Sequence, residues 1–321
     1  MKKIILFLSV CLVLFSCQQS KQQVPEILNG RVLILGDSIT QDGRYVSVIE
    51  HELFENYPDV DFDVISIGLS SETVSGLTEP GHPYPRPNLH ERLGRALAKL
   101  KPQTVVACYG MNDGIYHPQS EERFQAFKDG IQKLITDVKA TGAKLIILTP
   151  PIFDPTIIPN KVVGSDAKHF GYSAPYVGYN DVLADYSRWL MSLDVSGVKV
   201  IDLNTPMLAY AKKQRETKPH FAFSKDGVHP QLAGHVLMAQ LFLKGIGLPV
   251  SGKDPQEYAR QLQQSQIYKL VDQRRRMRSM AWLLDVGFKK PGKYKGLPVE
   301  EAEQKAKEMK QQIRRLIGNS K

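Results

Sequence analysis

Arg31-Val32-Leu33-Ile34-Leu35-Gly36-Asp37-Ser38-Ile39-Thr40 is an apolar run that ends on a glycine, an acid and a serine. Residues 31–35 have the length and the aliphatic, β-branched content of a buried strand. Gly36 permits a sharp turn behind the strand. Ser38 is therefore expected just past the strand's carboxyl end. A serine there has two readings: the cap of a following helix, or a nucleophile on the active edge of a sheet. These ten residues do not separate the two.

Working outward, the apolar run recurs at residues 61–67, 104–109, 144–149 and 198–203. Helical spacing of apolar residues appears between them, at residues 45–56, 88–99, 121–140 and 176–191, and again at 231–245. Strands separated by helices at this rhythm predict βαβ units and a five-stranded parallel sheet with helices on both faces. In such α/β sheets ligands collect in the loops leaving the carboxyl ends of the strands.

Those loops carry the chemistry-bearing residues. The third run leads into Gly110-Met111-Asn112-Asp113-Gly114 and the second into Ser66-Ile67-Gly68. Far along the chain stands Asp226-Gly227-Val228-His229-Pro230. An aspartate three residues before a histidine can bond one imidazole nitrogen, leaving the other to take a serine proton. Asn112 offers a side-chain amide donor, and Gly68 an unobstructed backbone N–H. Together with the Ser38 N–H these make an oxyanion-binding set. A nucleophile, a base with its orienter, and oxyanion donors are what acyl transfer requires.

Taken in order, Gly36-Asp37-Ser38, Gly68, Gly110-Met111-Asn112-Asp113 and Asp226 to His229 resemble the blocks of the SGNH/GDSL hydrolase superfamily. The resemblance spans residues 31–246. It implies a three-layer, flavodoxin-like α/β fold and an acyl-enzyme mechanism without a cofactor. It also implies Ser38 as nucleophile, His229 as base, Asp226 as orienter, and Ser38, Gly68 and Asn112 as oxyanion hole. One position departs from the pattern: the family usually has Asn two residues before the glycine of its second block, where this chain has Ser66. Residues 81–93 and 108–117 also resemble a bacterial subgroup common among polysaccharide degraders. The expected substrate is therefore an acylated, most simply acetylated, carbohydrate. Two alternatives share the fold: a non-catalytic glycan-binding lipoprotein, and an acyltransferase.

The ends of the chain read differently. Met1-Lys2-Lys3, a short apolar run and Ser16-Cys17 form a secretory signal. Leu14-Phe15-Ser16-Cys17 resembles a bacterial lipobox, which implies a lipid on Cys17 and anchoring in the cell envelope. The expected organisation is signal 1–16, tether 17–29, hydrolase domain 30–250 and helical extension 251–321. Of the three cysteines, Cys11 leaves with the signal and Cys17 takes the lipid. Cys108 is expected in the core.

Residues 251–321 carry 17 Lys and Arg against 8 Asp and Glu, so the net charge of +9 resides there; the rest balances at 25 of each. Gly252-Lys253-Asp254-Pro255 marks the expected boundary. Apolar residues at helix spacing (Ile267, Leu270, Val271, Met277, Met280, Ala281, Leu284, then Ala302, Ala306, Met309, Ile313, Leu316) predict two amphipathic helices. The run Arg274-Arg275-Arg276-Met277-Arg278 reads as a solvated helix face or an anionic-surface contact, with no nucleic-acid partner expected. Arg86 likewise reads as solvated. His82, His90, His117, His169, His220 and His235 lack metal-ligand spacing, so no metal is expected. Tyr109, Met111, Tyr116 and Phe153 are candidates to line a pocket.

Overall fold

The computed structural model describes residues 25–319. The signal, Cys17 and most of the tether lie outside the described residues. Five strands form one parallel sheet in the order β2-β1-β3-β4-β5. They are β1 (Arg31–Gly36), β2 (Asp63–Ser66), β3 (Thr104–Cys108), β4 (Lys144–Leu148) and β5 (Val198–Ile201). Register is set from the centre, with Ile34 opposite Ser66 on one side and Val106 on the other. Every residue of β3 is buried, which requires cover on both faces. Cys108 is part of that core.

The cover comes from α2 (Arg44–Asn56), α3 (Leu93–Leu100), α4 (Glu121–Lys139), α5 (Tyr179–Met191) and α7 (Leu232–Gly245). α4 begins where the Ser120 side chain accepts the Arg123 N–H and Glu121 and Glu122 face the positive end of the helix. Its Phe127 stacks on Tyr186 of α5, ring centres 4.4 Å apart. α2 and α7 meet where the Tyr45 N–H donates to Nδ1 of buried His235. Three helices go unseen in the sequence pattern: the five-residue α1 (Ser38–Asp42), α6 (Asn204–Arg215) and the first helix of the extension, Pro255–Gln264, where two helices in all were expected. Before β1, Glu26–Leu28 forms a short 3-10 turn whose Leu28 is buried.

The extension folds as α8 (Pro255–Gln264), α9 (Gln266–Val286) and α10 (Val299–Gly318). The expected boundary residues Asp254 and Pro255 are in fact the cap and first residue of α8. Tyr258, Leu262, Leu283 and Val286 join the main core. None of the helices in the described residues is long and apolar enough to cross a membrane.

The arginine run of α9 corrects the solvated-face expectation. Arg274, Arg275 and Arg278 are each 5% exposed or less; only Arg276 faces outward. Arg274 pairs with buried Glu50 at 2.7 Å. Arg275 donates to the Ser47 hydroxyl and to the carbonyl of Asp42. Arg278 pairs with Asp63 and Glu303 and donates to the carbonyl of Val64. β2 is an edge strand, so Arg278 supplies one hydrogen bond that a neighbouring strand would otherwise make. Arg95 and Lys99 of α3 donate to the last carbonyls of α9, which favour cations at that end.

Candidate active site

The turn after β1 is built by its small and acidic residues. A Cβ on Gly36 would lie 2.2 Å from the Thr40 hydroxyl and 2.8 Å from the Cys108 carbonyl, so only glycine fits. Asp37 caps α1, its Oδ1 accepting the Ile39 N–H at 2.9 Å. Ser38 thus opens α1 and stands at the carboxyl edge of the sheet. Arg275 of α9 donates to the far end of the same short helix at Asp42. Burial pushes the Asp37 carboxyl up to about 7, against the lowering pull of the Ile39 N–H.

The loop holding His229 closes on itself. Asp226 Oδ1 accepts the N–H groups of Val228 and His229 at 3.0 and 2.8 Å. Gly227 takes a left-handed φ of 81°, and its carbonyl accepts the Asp154 N–H, tying the loop to the chain beyond β4. His229 Nδ1 then lies 2.7 Å from Asp226 Oδ2, and Nε2 lies 2.7 Å from Ser38 Oγ. With Nδ1–H donating to the carboxylate, Nε2 is free to accept the Ser38 hydroxyl proton. The Asp226 hydrogen bond, opposed by burial, raises the His229 pKa above its ordinary value. Burial would raise the Asp226 carboxyl. Its bonds from His229 and Val228 outweigh that and hold it far below the usual carboxylate range.

The other two predicted residues arrive at neighbouring strand ends. Asn112 is oriented from both sides: its Nδ2 donates to the Glu72 carbonyl and its Oδ1 accepts the Tyr116 hydroxyl, each at 3.2 Å. One Nδ2 hydrogen remains for another acceptor. Asp113, next to it, accepts from the N–H groups of Val74, Ser75 and Gly110, all at 2.8 Å, and so staples the loop after β2 to the end of β3. Gly68 sits between Ile67 and Leu69, whose N–H groups continue the pairing with β1. A Cβ there would lie 2.3 Å from the Gln41 nitrogen, so only glycine lets this loop close on α1. Ser66, the departure from the family pattern, meets Ser279 of α9 at 2.9 Å. Its side chain thus serves the packing of the extension.

A buried network supports the Asn112 turn. The Glu72 carboxylate accepts two hydrogen bonds from Arg92 and one from the Tyr109 hydroxyl, all at 2.6 Å. This corrects the pocket reading of Tyr109, and Met111 is likewise buried in the core. Tyr116 and Phe153 do line a cleft of about 220 Å³ beside His229, together with Ile158, Lys161, Tyr172 and Pro175. Ile115 and Tyr116 both hold left-handed φ values, 46° and 60°, costly for such residues and here spent on aiming the tyrosine. Arg86 is not solvated either: it makes a two-pronged pair with Glu79, both side chains almost wholly buried. A larger cavity of about 610 Å³ lies elsewhere, between the start of β2 and α10.

Residues 34–237 match the model of the GDSL-like lipase/acylhydrolase family. No curated protein matches the sequence. Among solved structures, the chain is similar to a gut microbial diltiazem-metabolizing enzyme, with 21% identity and a TM-score of 0.51. That alignment covers 71% of this chain and 49% of the other, so the chain spans about half of that protein's length. An acetyl-xylooligosaccharide esterase from Geobacillus stearothermophilus is similar at 21% identity, TM-score 0.49, over 69% of this chain and 95% of that one. The acetyl xylan esterase AlAXEase aligns at 20% identity, TM-score 0.47, over 67% and 98%.

Proposed function

The chain belongs to the GDSL-like lipase/acylhydrolase family, a family of carboxylic ester hydrolases, and from that premise we propose a serine esterase that removes short acyl groups, acetyl above all, from carbohydrate. The observation that carries the mechanism is the relay Ser38–His229–Asp226, closed by two 2.7 Å contacts. Ser38 Oγ attacks the ester carbonyl carbon while its proton passes to His229 Nε2. Asp226 holds the imidazole in the accepting tautomer and stabilises the imidazolium. The tetrahedral oxyanion is held by the N–H groups of Ser38 and Gly68 and by Asn112 Nδ2. Collapse expels the alcohol, which takes the proton from His229 and leaves an acyl-Ser38 ester. Water, deprotonated by the same histidine, then releases the acid.

Two features support the substrate class. The cleft beside His229 is smaller than the roughly 300–1,000 Å³ of drug-sized pockets, which suits a compact group. Its aromatic walls suit a sugar ring. The reading includes a lipid on Cys17 and residence in the cell envelope, resting on the sequence of residues 1–17; Cys17→Ala should release the protein from membranes. The direct test of the chemistry is hydrolysis of p-nitrophenyl acetate by the native protein and by Ser38→Ala. The variant should lose on the order of 10³-fold or more. Equal rates would remove Ser38 from the reaction.

A further inference from the structure

Resting on that reading, we propose that the cleft beside His229 receives the leaving alcohol and selects one that carries a carboxylate, an acidic sugar, through Lys161. The leaving oxygen must collect its proton from His229 Nε2, so the alcohol part of the ester lies on the histidine side of Ser38. His229 itself forms one wall of the cleft. Tyr116, Phe153, Pro175 and Tyr172 supply apolar faces for a ring. Tyr172 is 53% exposed yet held in place: its ring lies edge-on to His82, centres 5.3 Å apart, and its N–H donates to Glu79. Glu79 is in turn locked by Arg86. An exposed aromatic anchored by a buried ion pair is a fixed platform, not a loose surface residue.

The charges on the wall decide the selectivity. Asp226 is committed to His229 and to two backbone N–H groups. Arg86, whose guanidinium lies over the Tyr116 ring, is neutralised by Glu79. Lys161 is exposed, its backbone N–H is pinned to the carbonyl of Ile158, and its ammonium pairs with no described residue. Lys161 is the one lysine or arginine among the residues lining the cleft, and its charge beside the aromatic faces favours an anion seated on them.

The test uses the full chain and two mono-acetylated methyl glycosides that differ only at C6, a glucuronoside with its carboxylate and a glucoside with its hydroxymethyl. The native protein should prefer the glucuronoside in kcat/KM, and the preference should shrink as salt is raised. Lys161→Met should cut the ratio of the two by about threefold to fivefold, the range of a partly exposed pair. Lys161→Glu should reverse it. A native ratio of one or below, or a Lys161→Met ratio equal to the native one, overturns the proposal. Failure of the underlying esterase reading shows separately, as p-nitrophenyl acetate hydrolysis that survives Ser38→Ala.

Discussion

Removing the guanidinium of Arg92 isolates a buried charge next to the site. Arg92 and Glu72 have side chains 1% and 0% exposed, joined by two 2.6 Å hydrogen bonds. In Arg92→Met the hydrophobic stem is kept and the carboxylate retains only the Tyr109 hydroxyl. Breaking a buried pair from one side costs about 3–5 kcal/mol, because the remaining ion keeps its desolvation penalty and loses its compensation. With a urea slope of ~2–3 kcal/mol/M, the midpoint should fall by roughly 1–2.5 M. Adding Glu72→Gln removes the orphaned charge and should recover more than half of the loss, since an amide still accepts from Tyr109. The same Glu72 anchors Asn112 through its backbone carbonyl, so kcat of the folded single variant should also drop. Urea unfolding followed by circular dichroism measures both variants. A single-variant cost below about 1 kcal/mol, or a double variant no more stable than the single, would refute the argument.

Three further outcomes follow from the site. The acid limb of kcat/KM should have its midpoint above 6.5, because His229 must be neutral to act and its pKa is raised; Asp226→Asn should move the limb downward, and an unmoved limb would break the link. Gly68→Ala places a Cβ 2.3–2.8 Å from the Thr40–Gln41 segment and should cost about 1–3 kcal/mol of stability together with most of the activity; native-like kcat would show that the loop can yield. Asp37 holds its proton up to about 7 in the fold but loses it near 3.8 when unfolded, so the folded state binds the extra proton and native stability declines as pH rises through that window. Asp37→Asn keeps the cap acceptor and should flatten this decline, a difference on the order of 2–4 kcal/mol at pH 8; parallel stability curves for the two proteins would contradict it.

The central strands β1, β3 and β4 were legible in the sequence because each holds an unbroken apolar run, which a parallel sheet covered on both faces demands, and the edge strands β2 and β5 showed shorter runs broken by polar residues such as Lys199. The relay was legible because its elements are local: Asp226 and His229 are three residues apart, and Ser38 follows its strand directly. α6 was missed because only Asn204, Met207 and Ala211 are buried along it, too few to make a stripe. The arginines of α9 were misread for a different reason. Two of their counterions, Glu50 and Asp63, lie more than 200 residues away, and cations whose burying partners are remote look the same as solvated ones. Glu79 and Arg86 were within reach, seven residues apart in a loop, but nothing in the pattern says that the loop buries them. Tyr116 and Phe153 were read as cleft walls, but Ile158, Lys161, Tyr172 and Pro175 escaped because residues 158–175 are irregular, and irregular backbone carries no period to read.

The bond from Arg278 to the Val64 carbonyl and the Asp63 carboxylate has a consequence in time. The two sides are 214–215 residues apart, so at roughly 5–20 residues per second the ribosome delivers β2 some 10–40 s before the helix that completes it. Throughout that interval the edge of β2 has an open carbonyl, an acid with Arg31 but not Arg278 beside it, and no helix to shield it from another strand. Strand β1 is among the first segments made, yet the short helix bearing Ser38 gains its bond from Arg275 only when α9 emerges. Folding of this chain is therefore timed by α9 and α10, and a chain that ends before α9 should accumulate as an association-prone intermediate rather than as a smaller folded unit.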